Sequence, residues 1–169
     1  MAFRAFVVRY ERPVFALLSR MLGRGAHVED LAQETFLRAY RAFPNFNLDD
    51  ATKPSTWLLT IATRLALDVR KKKGFPPAAM DAADRVVGPG TPEASLARAE
   101  LGRAIEAAAA KLSDDQHAAF VLAEFHDMSL AEIAQVLGTP ENTVKTRIFR
   151  AREHMRASLA STMKEVRDG

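Results

Sequence analysis

"SLAEIAQVLGTPENTVKTRIFRARE", residues 129–153, predicts two helices joined by a tight turn. Ser129, with Glu132 three residues later, forms a capping box, which marks the start of the first helix. Gly138 can adopt the left-handed backbone conformation in which helices commonly end. A helix, a glycine turn and a second helix in this order predict a helix-turn-helix motif.

The second helix of this motif has one apolar side. Asn142 or Thr143 can serve as its N-cap, because both side chains can accept a hydrogen bond from the backbone of the first turn. Apolar residues then recur at spacings of three and four, which places them on one face of a helix. We therefore predict a buried stripe made of Val144, Ile148, Ala151, Met155 and Leu159.

The rest of this helix is basic. In a helix-turn-helix it would lie in the major groove, where arginine reads guanine and threonine or phenylalanine contacts a thymine methyl group. Basic side chains beside the apolar stripe would contact DNA phosphates. A solvated basic helix on a three-helix core would also explain the charge, but the ordered cap, turn and second helix favour DNA binding. The predicted DNA-contacting residues are Thr146, Phe149 and Arg150, with Lys145, Arg147, Arg152 and Arg156 flanking the stripe.

The pattern along the rest of the chain is helical almost everywhere, and no run of alternating β-branched residues is convincing. The one clear break is rich in proline and glycine and lies at residues 74–90. We therefore predict an all-α protein. It consists of two small helical domains, residues 1–73 and 91–169, joined by a flexible linker at 74–90.

Charge is distributed unevenly. Residues 1–73 carry 13 Lys/Arg against 7 Asp/Glu, residues 74–130 carry 4 against 9, and residues 131–169 carry 7 against 5. Two basic blocks around an acidic middle favour a polyanionic partner contacted at two places. The chain has no cysteine, which excludes disulfides and fits a cytoplasmic location. Its longest uncharged stretch, residues 54–63, is too short for membrane insertion.

An enzyme finds little support in the sequence. His27, His117, His126 and His154 are scattered and lack the spacing of metal ligands. No glycine-rich phosphate loop is present, since the Gly-Pro-Gly of the linker is only a turn. We predict no catalytic residue, no metal site, no cofactor and no small-molecule substrate.

"VEDLAQETFLRAYRAF", residues 28–43, predicts an amphipathic helix in the first domain. Its core face consists of Ala32, Thr35, Phe36, Ala39 and Phe43. The other face carries a leucine among polar, mostly acidic side chains. This favours a patch for a protein partner, although a single exposed leucine is common. The residues of this face are Asp30, Gln33, Glu34, Leu37 and Arg41.

"TKPSTWLLTIATRLALDVRKKKG", residues 52–74, predicts the next helix, which becomes strongly cationic toward its end. Trp57 near its start could belong to the core, or it could stack on an exposed base. Apolar residues recur at helical spacing at Trp57, Ile61, Leu65 and Val69. The cationic residues are Arg64, Arg70, Lys71, Lys72 and Lys73.

Taken together, these segments resemble an extracytoplasmic-function (ECF) sigma factor of the sigma-70 family, over nearly the whole chain. "EDLAQETFLRAYRAFPNF" resembles the helix of the family that binds the polymerase clamp. "STWLLTIATRLALDVRKKK" resembles the helix that melts and reads the −10 promoter element. The segment from "LSDDQH" to "REHMR", residues 112–156, resembles the domain that reads the −35 element.

The resemblance implies a role for each of these faces. The residues that would bind core RNA polymerase are Asp30, Gln33, Glu34, Leu37 and Arg41. The loop from Asn45 to Thr56 would hold a flipped-out −10 base, and the opened strand would lie along the next helix. The implied −10 residues are Trp57, Arg64, Arg70, Lys71 and Lys72. The implied −35 residues are Lys145, Thr146, Arg147, Phe149, Arg150, Arg152 and Arg156.

The implied partners are core RNA polymerase, promoter DNA and an anti-sigma factor, and the implied location is the cytoplasm. Two other functions are open to such a sequence. A sigma-like decoy would titrate an anti-sigma factor, but decoys tend to lose the basic recognition helix. A plain helix-turn-helix regulator would leave the first domain without a purpose.

Overall fold

The computed structural model describes residues 2–23, 25–47, 52–73 and 90–169. These residues form α-helices and contain no strand, which confirms the predicted all-α class. The segment predicted as a linker lies outside the described residues except for Gly90. The helices are α1 (Ala2–Leu22), α2 (Ala26–Ala42), α3 (Pro54–Lys73), α4 (Pro92–Ala109), α5 (Asp114–Phe125), α6 (Leu130–Leu137) and α7 (Glu141–Asp168), and a 3-10 turn (Phe43–Asn45) follows α2.

The first three helices pack on one another around apolar side chains that are almost fully buried. α1 contributes Leu17 and Leu18, and α2 contributes Ala32 and Ala39. Thr35 is fully buried in α2 and donates its hydroxyl hydrogen to the Leu31 carbonyl at 2.7 Å, so its polar group is satisfied within the helix. The predicted core face of α2 is thus largely confirmed, with Phe36 and Phe43 half-buried.

α3 differs from the sequence prediction. Its most deeply buried side chains are Leu58, Ala62 and Ala66, whereas Trp57 and Ile61 of the predicted stripe are half-buried. The physical reason is that α3 packs against α1 and α2 and also against helices of the second domain. A helix covered from several directions buries more than one stripe, so its periodicity does not single out the core face.

The second domain packs α5, α6 and α7 together, and α4 lies along α7. Val144, Ile148, Ala151 and Met155 are buried, while Leu159 is half-buried, so the predicted stripe is confirmed over its first four positions. α5 starts at a complete capping box made by Ser113 and Gln116. No helix in the described parts of the chain is long and apolar enough to cross a membrane.

Two details of helix capping differ from the prediction. α7 begins at Glu141, with Pro140 at its N-cap position and no side-chain cap, so neither Asn142 nor Thr143 caps it. The Ser129 hydroxyl accepts a hydrogen bond from the Glu132 amide at 3.1 Å, as expected at the start of α6. The Glu132 carboxylate, however, accepts hydrogen bonds from the first domain instead of completing the capping box.

The two domains are in direct contact, which the prediction of two domains joined by a flexible linker did not anticipate. α3 contacts α5 and α6, and α1 contacts α5. The buried apolar side chains of both domains form one continuous cluster. Arg20 of α1 lies over the ring of Phe125 in α5 at 4.3 Å, within the range of a cation–π interaction.

Candidate nucleic-acid and protein interfaces

The turn between α6 and α7 has the geometry that a helix-turn-helix requires. Gly138 has φ 62° and ψ 37°, the left-handed conformation that glycine adopts without steric cost. The amides of Gly138 and Thr139 both donate to the Ala134 carbonyl, the latter at 3.1 Å, which closes the end of α6. After this turn α7 buries its apolar stripe, starting at Val144, and presents its polar side to solvent.

The exposed side of α7 carries the residues predicted to read bases. Phe149 is 63% exposed, although a phenylalanine of this size is normally buried. Lys145, Thr146 and Arg150 are exposed on the same helix. The Thr146 hydroxyl donates to the Asn142 carbonyl at 3.0 Å, so in this state it is turned toward its own helix.

Three of the four predicted flanking cations are paired with carboxylates. Arg147 Nη2 lies 3.6 Å from Asp115, and Arg152 pairs with Glu124. Both carboxylates belong to α5. Arg156 donates to Glu153 one turn earlier in α7, at 2.6 Å. The pairs of Arg152 and Arg156 are exposed and therefore weak, so they can be exchanged for phosphate contacts at little cost, whereas Arg147 is half-buried.

A groove of about 510 Å³ lies between α1 and α2 on the first domain. The predicted face of α2 forms one wall with Gln33 and Leu37, and Leu37 is 49% exposed. Asp30 and Arg41 are also exposed, and Glu34 accepts a hydrogen bond from Arg38 at 2.9 Å. Glu29, Ala32, Phe36 and Tyr40 of α2 complete this wall. The opposite wall, which the sequence analysis did not predict, is formed by Phe3, Val7, Glu11 and Phe15 of α1.

The apolar walls give this groove the character of a protein-binding surface, since apolar patches of this kind on a monomer mark interaction sites. Tyr40 is 61% exposed and Phe15 is 39% exposed. Tyr40 lies three residues after Leu37, on the same side of α2, so helical spacing alone could have indicated it. Phe15 could not be found in this way, because it belongs to another helix.

A second pocket, of about 350 Å³, lies where the 3-10 turn meets the start of α3. Trp57 forms its apolar wall together with Phe46, and the two ring centroids are 4.6 Å apart. Thr60, Arg64 and Asn45 supply polar groups to the lining. A pocket with an aromatic wall of two rings tilted by 31° and a few hydrogen-bonding groups suits an unpaired nucleobase.

Arg70 stands apart from the other residues predicted for the −10 element. Arg64, Lys71 and Lys72 are exposed, whereas Arg70 is only 5% exposed. Its guanidinium donates to Asp114 of α5 at 2.7 Å and to the Met21 carbonyl at 2.8 Å. In this arrangement Arg70 faces the second domain, and a role in DNA binding stays a prediction.

Comparison with known proteins assigns the chain to a family. The sequence pattern of sigma-70 region 2 matches residues 6–75, and that of sigma-70 region 4 matches residues 102–155. The ECF RNA polymerase sigma factor SigW of Bacillus subtilis (strain 168) is 38% identical to this chain. The alignment covers 94% of this chain and 89% of SigW. The chain belongs to the ECF sigma factors of the sigma-70 family.

Further relatives of this sigma factor share its length. The RNA polymerase sigma-H factor of Pseudomonas aeruginosa is 33% identical and aligns with 98% of this chain and 90% of its own. The region 2 match includes α2 and α3, and the region 4 match includes the helix-turn-helix.

Solved structures have the same helical architecture as this sigma factor. RpoE of Bartonella quintana, in complex with the anti-sigma factor NepR, superposes with a TM-score of 0.72 at 20% identity, covering 94% of this chain and 97% of that one. CnrH, in complex with the cytosolic domain of CnrY, superposes with a TM-score of 0.67 at 25% identity, covering 95% of this chain and 88% of CnrH. These structures support the all-helical, two-domain fold.

Proposed function

We propose that this sigma factor binds core RNA polymerase through the groove between α1 and α2 and carries it to promoters with two DNA-contacting surfaces. The aromatic pocket beside α3 would hold an unpaired base of the −10 element. The exposed side of α7 would read the −35 element in the major groove. The sigma factor would perform no catalysis, because the polymerase makes the RNA.

The observation that carries this proposal is the separation of two chemically different surfaces on one chain. The groove is apolar and has acidic residues at its rim, among them Glu11 and Glu29, which suits a protein partner with basic residues around an apolar contact. The exposed side of α7 holds Lys145, Phe149 and Arg150, which suits a polyanion.

The proposal extends to an anti-sigma factor as a further partner and to the cytoplasm as the location. CnrH, at 25% identity, was solved with the cytosolic domain of CnrY bound. A decoy function is not favoured, because the basic side of α7 is intact and exposed. A plain helix-turn-helix regulator would leave the groove and the aromatic pocket of the first domain unused.

In vitro transcription with core RNA polymerase from Escherichia coli, over a library of randomised promoters, tests the proposed function. The transcribed templates should share two separated sequence elements, and transcripts should depend on the added sigma factor. If core polymerase with the sigma factor transcribes no template beyond the background of core alone, the proposal fails.

Two arginines of α7 should differ in what they contribute. Arg150→Ala should relax the preference at one or two positions of the −35 element, at a cost of about 1–3 kcal/mol on the preferred sequence, because a base contact is lost. Arg156→Ala should weaken binding to all sequences alike, because a phosphate contact is lost. For the same reason the slope of log K against log salt concentration should become shallower by about one unit.

The measurement is a binding series with both variants in complex with core polymerase, against point mutants of the −35 element at two salt concentrations. Each variant serves as the control for the other, since both remove one arginine from α7. A uniform loss with unchanged preference in Arg150→Ala would contradict its assignment as a base-reading residue.

Trp57→Ala should reduce promoter opening more than closed-complex binding. Stacking of an aromatic side chain on a base contributes about 1–3 kcal/mol. Its loss corresponds to a decrease of roughly 5- to 150-fold in the equilibrium constant for binding the opened strand. Permanganate footprinting measures the opening, and circular dichroism shows whether the variant is folded. Trp57→Phe keeps a ring against Phe46 and should retain most of the activity. Normal opening by a folded Trp57→Ala variant would remove this residue from the mechanism.

A further inference from the structure

Arg64 supplies the only charge in the described lining of the aromatic pocket. It lies on α3, four residues after Thr60 and seven after Trp57, so the three side chains share one side of the helix. Side chains of a helix lean toward its N-terminus, which brings the long side chain of Arg64 back toward Thr60 and the aromatic wall. The guanidinium is thus part of the pocket, although Arg64 is also one of the cations of α3.

The guanidinium of Arg64 is available to a ligand. Arg64 is exposed, and it forms no hydrogen bond or ion pair within the part of the chain that the structure describes. Arg70, two turns further along α3, differs in this respect, because it donates to Asp114 and to the Met21 carbonyl. The N–H donors of Arg64 can therefore all be directed at a molecule in the pocket.

The polar groups around Arg64 do not supply a comparable set of donors. The Thr60 hydroxyl donates to the Thr56 carbonyl at 2.6 Å, so it presents an acceptor to the pocket. The Asn45 amide can donate or accept. Among the described lining residues only Arg64 offers several donors in a fixed planar fork. How a bound base meets this fork should therefore decide which base is held.

The four bases differ in the acceptors that they present side by side. An unpaired base exposes both its Watson–Crick and its Hoogsteen edge. Guanine presents O6 and N7 as neighbours, and arginine binds this pair with two hydrogen bonds. Unpaired cytosine presents N3 and O2 as neighbours. Adenine has an amino group beside N7 and N1, and thymine has an N–H between its two carbonyl groups, so neither offers two adjacent acceptors.

We propose that Arg64 makes the aromatic pocket select a base with two adjacent acceptors, guanine or cytosine, against adenine and thymine. This inference rests on the proposed assignment of the pocket to an unpaired −10 base. Trp57 and Phe46 would hold the ring of any base, because stacking depends little on base identity. Arg64 would supply the selectivity, because a base that turns a donor toward the guanidinium leaves polar groups on both sides unpaired.

The test uses fork-junction promoter templates bound by core RNA polymerase from Escherichia coli together with the sigma factor. The nontemplate bases of the −10 element are unpaired in these templates, so binding does not depend on melting. An abasic site at each −10 position in turn identifies the base that occupies the pocket. Its removal should weaken binding by the wild type and have no further effect on Trp57→Ala, because the two changes remove the same stacking contact.

At that position the wild type should bind its preferred base, guanine or cytosine, about tenfold more tightly than adenine or thymine. Arg64→Ala should lose this preference, mainly through weaker binding of the preferred base. Arg64→Lys keeps the charge without the planar fork and should show little preference. Arg12→Ala removes an exposed arginine from α1 and is the matched control, which should keep the wild-type preference.

Base analogues distinguish guanine from cytosine and test the contact at single atoms. 7-Deazaguanine lacks the N7 acceptor, and 3-deazacytosine lacks the N3 acceptor. If guanine is the preferred base, the wild type should bind 7-deazaguanine about as weakly as adenine, whereas Arg64→Ala should not distinguish it from guanine. If cytosine is preferred, 3-deazacytosine should behave in the same way.

Two results would overturn the inference. One is a wild type that binds all four bases equally in the pocket or that favours adenine or thymine. The other is a preference that persists in Arg64→Ala or is fully retained by Arg64→Lys, since the planar fork would then not determine it. A scan in which no position depends on Trp57 would remove the pocket, and the inference with it. Failure of the proposed function has a different signature, because the holoenzyme would then transcribe no template beyond the background of core alone.

Discussion

Leu37→Arg should weaken the binding of core RNA polymerase by about 30-fold or more. Leu37 lies in the wall of the groove between α1 and α2, where it is 49% exposed beside Phe36 and Tyr40. An apolar side chain at the centre of an interface commonly contributes about 2 kcal/mol or more, which is a factor of about 30. An arginine would also bring a charge into an apolar contact. The dissociation constant for core polymerase, from a fluorescence titration, measures the effect.

Leu96→Arg is the matched control for this variant. Leu96 is 58% exposed on α4, in the other domain, so the same substitution changes charge and size equally and leaves the groove intact. Both variants should keep the thermal stability of the wild type within a few degrees, because each side chain is already exposed. Equal affinities of the two variants for core polymerase would exclude Leu37 from the docking surface.

The unfolding free energy of this sigma factor should fall by about 3 kcal/mol between pH 7 and pH 4 through His117 alone. His117 is fully buried, and neither ring nitrogen has a hydrogen-bond partner within the described part of the chain. Burial, aided by the charge of Arg70 and opposed by that of Asp114, lowers the pKa of His117 from 6.5 to about 4.

The direction of this effect follows from where the proton binds. Above pH 6.5 the imidazole is neutral in both the folded and the unfolded chain, so its contribution to stability is fully present. Between pH 6.5 and pH 4 the unfolded chain takes up a proton that the folded chain does not bind, and each pH unit costs about 1.4 kcal/mol. His126, whose pKa is lowered to about 4 by burial and by the charge of Arg20, adds to the same loss.

His117→Leu separates the two histidines. Leucine has a similar size and no polar atom to bury, so the variant should be at least as stable as the wild type at pH 7. Its stability should fall less steeply toward pH 4, because the contribution of His117 is removed while that of His126 remains. Urea denaturation at pH 7 and pH 4, followed by circular dichroism, measures the unfolding free energy of both proteins. An unchanged pH dependence in the variant would contradict a neutral, buried His117.

The features that could be predicted from the sequence are those with a local cause. The stripe from Val144 to Met155 repeats at helical spacing, and Gly138 marks the end of α6, because both signals depend on residues within a turn or two. The face of α2 around Leu37 could be predicted for the same reason. These short-range patterns were sufficient for the all-helical class, the helix-turn-helix and the family.

The contact between the domains could not be predicted in this way. Arg70 and Asp114 are 44 residues apart, and Thr56 and Glu132 are 76 apart, so no local pattern joins them. In the sequence Arg70 cannot be distinguished from Lys71, the next cation, yet only one of the two is buried. Glu132 was assigned to a capping box on its spacing alone, whereas a distant hydroxyl group competes for its carboxylate.

The covalent connection between the domains changes how strong their contact has to be. Because both domains belong to one chain, α5 and α6 meet α3 at an effective concentration on the order of millimolar, which does not depend on the concentration of the protein. A contact within one chain therefore stays formed at dilutions at which a contact of the same strength between separate chains would dissociate.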